Sequence, residues 1–218
     1  MKRNIGFDIL WGSCLLLFLL FLLNPAGLKL FVSATKAHPI LMGFSKFFIL
    51  ASMGELLAIR ITRKTWTFKG IHLFKKALGW GFLGILVTYA FPLFNAGVNA
   101  LVEAGMLPVF KEGLKRTILV AVYKSAFFNI VFGFEFMTLH RIMDSYISRP
   151  RPFLEIFKGI DWDNMWKVVG FSLLWFWIPA QTVTFSFPPE FRILIAALLS
   201  ICLGVILALA RSRSQQTS

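Results

Sequence analysis

The sequence predicts an all-α fold, a polytopic membrane helix bundle of about six transmembrane helices with the N- and C-termini both cytoplasmic. Three observations carry that expectation. The 218 residues are 57% hydrophobic and 16% aromatic with a mean hydropathy of +0.73, and a soluble domain of this size cannot hide that much apolar surface. Apolar runs long enough for a hydrocarbon core of about 30 Å recur along the chain. Lys and Arg divide unevenly between the connections: fifteen fall on the side of the N-terminus and six on the other, with Lys46 and Lys124 inside crossings, and such a bias sets orientation. In a soluble chain the formal charge of +13 would suggest nucleic acid. Here it reads as topology, so anionic lipid headgroups on the cytoplasmic side are the expected partners and nucleic acid is not.

Residues 1–27 hold the first crossing, an apolar run from Ile9 to Leu23 that follows Lys2-Arg3 and closes at Asn24-Pro25. A secretory signal is the competing reading; the lack of an Ala-x-Ala-like cleavage site and the length of the run weigh against it. The second crossing, Ile40 to Ile61, contains Lys46 and Glu55, and Ala51, Gly54 and Ala58 recur beside Glu55 at a spacing suited to close helix packing. Thr62 to Lys76 interleaves Arg63, Lys64, Lys69, Lys75 and Lys76 with Trp66, Phe68, Ile71, Leu73 and Phe74, which predicts an amphipathic helix lying in the interface.

The third crossing runs from Ala77 to about Val102, with Gly81 and Gly84 early, a kink expected at Pro92, and Asn95 and Asn99 as an i,i+4 pair on one face. Leu114 to Leu139 is the fourth and encloses Lys124 and Glu135, which share a face with Phe128 and Val131 in a straight helix. Arg141 to Lys167 is the longest connection, and its Arg149-Pro150-Arg151-Pro152 repeat stops a helix. Val168 to Phe187 is the fifth crossing, Ile193 to Ala210 the sixth, and residues 211–218 are expected to form a disordered tail. Cys14 and Cys202 lie in apolar runs and act as small hydrophobes.

The stretch Trp175 to Arg192 interrupts the fifth crossing. Pro179 removes the N–H that the Trp175 carbonyl would accept, and in lipid a freed carbonyl needs a partner from protein or from a water-lined cavity. Gln181, Thr182 and Thr184 are the nearest donors. Pro188-Pro189 then turns the chain, with Glu190 and Arg192 at the surface. Polar glue between helices and a polar lining are both open readings of this hairpin.

The same stretch carries a resemblance. Trp177, Pro179, Ala180 and Gln181, then Phe185, Pro189 and Arg192, resemble the C-terminal signature of the peroxisomal 22-kilodalton membrane protein and its mitochondrial inner-membrane relatives. Pro179 and Arg192 are each displaced by one residue, and Thr184 replaces an Asn. Ile59-Arg60 stand where that family has a Gln, and Lys124 replaces a Gln in the fourth crossing. The resemblance covers residues 28–210, so the first helix is an addition to the pattern. It implies a pore-like or transport pathway for small hydrophilic metabolites, linked to oxidative stress and nucleotide supply.

Orientation places Lys46 and Lys124 in the outer half of the bilayer and Glu55 and Glu135 in the inner half. A charge at the bilayer centre costs about 2.5–3.5 kcal/mol on insertion scales, so all four should face inward. The expected pore lining is Lys46, Glu55, Asn95, Asn99, Lys124, Glu135 and Gln181. A non-transporting scaffold with Lys46–Glu135 and Lys124–Glu55 pairs is the alternative. The lack of HExxH, GxSxG, CxxC and a phosphate-cradling Gly-rich loop argues against an enzyme, and no cofactor or metal site is expected. A homo-oligomer is a candidate assembly. The extra helix and the lack of an Arg- and Ser-rich transit segment favour a bacterial cytoplasmic membrane, with mitochondrial or peroxisomal membranes as the eukaryotic alternatives.

Overall fold

The structure, a computed structural model, describes residues 5–214, and every regular element among them is helical. The helices are α1 (Ile5–Leu23), α2 (Pro25–Ala37), α3 (Pro39–Arg63), α4 (Leu73–Glu103), α5 (Leu114–Ser148), α6 (Phe153–Lys158), α7 (Trp162–Ser186) and α8 (Pro189–Ser214). Five of them, α1, α3, α4, α5 and α7, are long and apolar enough to cross a membrane. The sixth expected crossing falls on α8, which has 26 residues. Leu93, Ile130, Phe171 and Leu174 are among the many large apolar side chains left exposed on these helices, a surface suited to lipid rather than water.

Five helices close a ring. α4 packs on α3, α3 on α8, α8 on α7, α7 on α5, and α5 back on α4. Small residues set the closest approach, as helix association in lipid requires. A Cβ on Gly84 of α4 would overlap the Gly43 carbonyl of α3, and one on Gly54 of α3 would lie 3.1 Å from Ile201 of α8.

α1 stands outside the ring with none of its residues buried. It is tied to the chain around the C-terminal end of α3 near its own N-terminal end. Arg60 donates from Nε and Nη2 to the two oxygens of Asp8 at 2.7 and 2.8 Å, and Trp66 Nε1 donates to the same carboxylate at 2.9 Å. Higher up, Trp11 Nε1 donates to the Met53 carbonyl at 3.1 Å. The N-terminal basic pair Lys2-Arg3 lies outside the described residues.

Several boundaries differ from the sequence reading. Asn24-Pro25 starts a helix as well as ending one: Asn24 Oδ1 accepts the Ala26 and Gly27 N–H groups at 3.0 and 3.2 Å, and Pro25 occupies the first helical position. The amphipathic helix expected over Thr62–Lys76 does not form. Left-handed backbone at Lys64, Gly70 and His72 makes the middle a turn, and α4 begins at Leu73. Similarly, α5 runs nine residues past Leu139, to Ser148. As the sequence reading has it, one helix, α4, passes through Pro92. The expected tail begins inside α8, which is helical to Ser214, and 215–218 lie outside the described residues.

Three ring helices contain widened turns in which N–H groups bond five residues back instead of four. They are Phe47–Ala51 in α3, Phe128–Gly133 in α5, and Trp166–Gly170 with Leu173–Trp177 in α7. Such turns insert a residue and re-aim the next helical segment by about 100°. The last of them changes the setting of Pro179. Ile178 N–H reaches back to the Leu173 carbonyl, so Pro179 falls in the first turn of the next helical segment, where a missing N–H costs little. The expected donors serve other carbonyls: Thr182 Oγ1 donates to Ile178 at 2.8 Å and Thr184 Oγ1 to Ala180 at 3.0 Å, while Ser125 Oγ of α5 also donates to the Ile178 carbonyl, at 2.7 Å.

Candidate functional site

The ring encloses a cavity of about 300 Å³, lined by all five of its helices. We term the end of the ring at Leu73 the inner end. The cavity wall is largely rings and aliphatic groups: Phe47, Trp80, Phe128, Phe132, Phe136, Met137 and Trp177. The widened turns border it through Phe47, Ala51, Phe128, Asn129, Phe132, Gly133, Leu173 and Trp177. Two kinds of polar group interrupt the apolar wall.

At the inner end Lys76 sits between two carboxylates, 2.5 Å from Glu55 Oε1 and 2.5 Å from Asp144 Oδ1. Trp80 Nε1 donates to Glu55 Oε2 at 3.2 Å, and the Trp80 ring stacks on His140 with centroids 4.2 Å apart. Three helices are thereby joined by one ammonium group: Glu55 from α3, Lys76 from α4, Asp144 from α5. With one cation for two anions, the cluster keeps one net negative charge when His140 is neutral. Deeper in the ring is Gln181, 3% exposed, whose Oε1 accepts no hydrogen bond among the described residues. Asn129 is also buried, its amide donating to the Ser125 carbonyl at 2.8 Å.

A second cavity, also about 300 Å³, opens at the other end of the ring and is more polar. Asn99, Glu103, Arg116, Thr117, Lys124 and Ser186 line it, with Phe185 at its floor. Between the two cavities stand three rings, each at most 5% exposed: Phe91, Phe128 and Phe185. Their centroids are 4.9 Å (Phe91–Phe128), 5.1 Å (Phe91–Phe185) and 5.8 Å (Phe128–Phe185) apart. Phe128 borders the inner cavity and Phe185 the outer one. The two voids are therefore separated by little more than this aromatic partition.

The seven expected lining residues separate into distinct places. Glu55 and Gln181 border the inner cavity, while Asn99 and Lys124 border the outer one. Asn95 Oδ1 accepts from Arg192 Nη1 at 3.3 Å, beside the α7–α8 turn. Lys46 is buried away from both cavities, donating to Thr35 Oγ1 at 3.0 Å and to the Glu190 carbonyl at 3.5 Å, with its ammonium 4.4 Å from the Phe31 ring centroid. Glu135 is exposed on the outside of α5. The widened turn at Phe128–Gly133 swings it off the Lys124–Phe128 face on which straight-helix spacing placed it. Neither of the charge pairs imagined for a scaffold, Lys46–Glu135 or Lys124–Glu55, occurs among the ion pairs of the described residues.

The motif residues have separate tasks. Trp177 and Gln181 face the inner cavity, and Phe185 belongs to the partition. Pro189 begins α8, and Arg192 closes the turn by donating to the Phe187 and Phe185 carbonyls at 3.0 and 3.2 Å. Sequence reasoning gives no site role to Lys76, Trp80 or Phe91, names Phe185 only as a motif residue and Phe128 only as a neighbour of Lys124, and reads His140 and Asp144 as a cap or headgroup contact. One signal is present in the chain: His140 and Asp144 are an i,i+4 pair, although by sequence their position points to the bilayer surface. The chain matches no protein-family model, no curated protein and no solved structure.

Proposed function

We propose that the chain is an integral membrane protein whose helix ring forms a pathway for small hydrophilic metabolites, held closed by Phe91, Phe128 and Phe185. One observation supports this more than any other: two cavities approach each other from opposite ends of the ring and stop at a shared aromatic partition. Apolar constrictions of this kind gate by excluding water. Lys124 in the outer cavity and Glu55 in the inner one give the pathway opposite charge at its two ends. The resemblance of the Trp177–Arg192 stretch to the peroxisomal and mitochondrial membrane family is in keeping with this reading. We place both termini in the cytoplasm of a bacterium, with α8 as the sixth crossing, on the Lys and Arg bias.

Flux of graded uncharged and charged solutes from liposomes is the test. The double variant Phe128→Ala, Phe185→Ala should raise flux at least tenfold over the unaltered protein, and Lys124→Leu on that background should change the preference between anions and cations. No flux above protein-free liposomes, from a variant that is folded and inserted, contradicts the proposal. A second reading has one observation in its favour: the Glu55–Lys76–Asp144 cluster ties three helices as a scaffold would. Stability lost on breaking that cluster, together with no conductance in any variant, would favour the scaffold.

A further inference from the structure

We propose that the inner cavity is a binding site for an elongated amphipathic organic monocation, with its ammonium group at the Glu55–Asp144 end and a hydroxyl or N–H donor reaching Gln181. This inference is independent of the solute pathway, since it concerns occupancy and not flux.

Three features of the cavity define the guest. The first is charge: Glu55 and Asp144 share the single ammonium of Lys76, which with His140 neutral leaves one negative charge uncompensated beside the cavity. Arg141, the next cation along α5, is exposed. A monocation balances the cluster, whereas an anion adds repulsion in a site of low dielectric. The second is the wall. Trp80, Phe132, Phe136 and Trp177 offer ring faces and edges along the cavity, which favours apolar chain and, near the cluster, cation–π contact.

The third feature is Gln181. The residue lines the cavity and is only 3% exposed, and its Oε1 accepts nothing from the described residues. A buried acceptor left unmade is costly, and a hydroxyl or N–H group on a guest can meet it once the Gln181 amide turns toward the space. Length is set by the helices. Asn129 and Asp144 both border the cavity and lie fifteen residues apart on α5, roughly 20 Å at helical rise. The guest is accordingly a chain and not a compact ring.

The probe is 12-aminododecan-1-ol, titrated calorimetrically into the full chain in lipid nanodiscs with the signal of empty nanodiscs subtracted. Dodecylamine and 12-hydroxydodecanoate are the comparators. The amino alcohol should bind at least tenfold more tightly than the hydroxy acid, and dodecylamine should be weaker than the amino alcohol by at least threefold. Asp144→Asn should weaken the amino alcohol at least fivefold while leaving the hydroxy acid no worse. Gln181→Leu, which leaves the ion cluster intact, should abolish the preference for the amino alcohol over dodecylamine. Equal binding of the amine and the acid overturns the proposal. So does unaltered binding in both variants, or no binding to folded wild-type protein. Binding without flux in any variant would retain this site and remove the pathway; flux without binding would do the reverse.

Discussion

Replacing Lys76 with Met tests whether the inner end of the ring is held by electrostatics. The ammonium is shared by Glu55 and Asp144, and the three side chains are 16%, 20% and 29% exposed. Met keeps the length and apolar stem of Lys, so packing changes little. Two carboxylates are then left facing each other at the edge of an apolar cavity. Removing one partner of a buried pair costs about 3–5 kcal/mol, and partial exposure argues for the lower figure. A loss of about 3 kcal/mol is roughly a 150-fold shift in the unfolding equilibrium. The sign has an internal control. Glu55→Gln and Asp144→Asn on the Lys76→Met background remove both stranded charges, and the triple variant should recover most of the loss. The assay is reversible unfolding in lipid or detergent micelles, followed by the fluorescence of the ring tryptophans. A single variant within about 0.5 kcal/mol of wild type, or a triple variant no better than the single, would refute the reasoning, because a surface pair is worth no more than that.

Other perturbations probe other links. Reversing the α1 tie, Asp8→Arg with Arg60→Asp, should restore part of the resistance to proteolysis that either single change removes, since the charge pair re-forms while the Trp66 N–H loses its acceptor; equal sensitivity of all three variants would show that this pair does not hold α1. Gly84→Val places a branched side chain where even a lone Cβ would overlap the Gly43 carbonyl, so α3 and α4 must separate. Overpacking of this kind costs about 1–3 kcal/mol or more, measurable in the same unfolding assay, and a neutral result would mean that the two backbones are not in contact.

Helical class, the hairpin at Pro188-Pro189 and the outward apolar surface were legible in the sequence because each rests on composition or on a local rule. Widened turns were not. An N–H that reaches five residues back leaves no periodic mark, yet one such turn decides that Glu135 faces out while Lys124 faces the outer cavity. Lys76 and Asp144 are hidden for a related reason. Charged residues at the ends of apolar runs look like boundaries, and only the fold reveals that these three helices bring opposite charges together and so let α4 begin and α5 continue past the expected edge. Asn24-Pro25 shows the opposite case: the cap and the first-turn proline are both visible in the sequence, but the pair signals a stop and a start at once, and only the fold shows that both apply. Arg60 holds α1 through the Asp8 carboxylate, with Trp66 and Trp11 supplying further bonds.

Cysteine accessibility in sealed, oriented vesicles addresses the two-cavity arrangement most directly, with Cys14 and Cys202 first replaced by Ser. Asn99→Cys should react with a membrane-impermeant thiol reagent only from the side opposite the N-terminus, and Asn129→Cys only from the N-terminal side. Adding Phe128→Ala should make Asn129→Cys reactive from both sides. Labelling of Asn99→Cys and Asn129→Cys from the same side, or no change in sidedness when the ring is removed, would contradict the account.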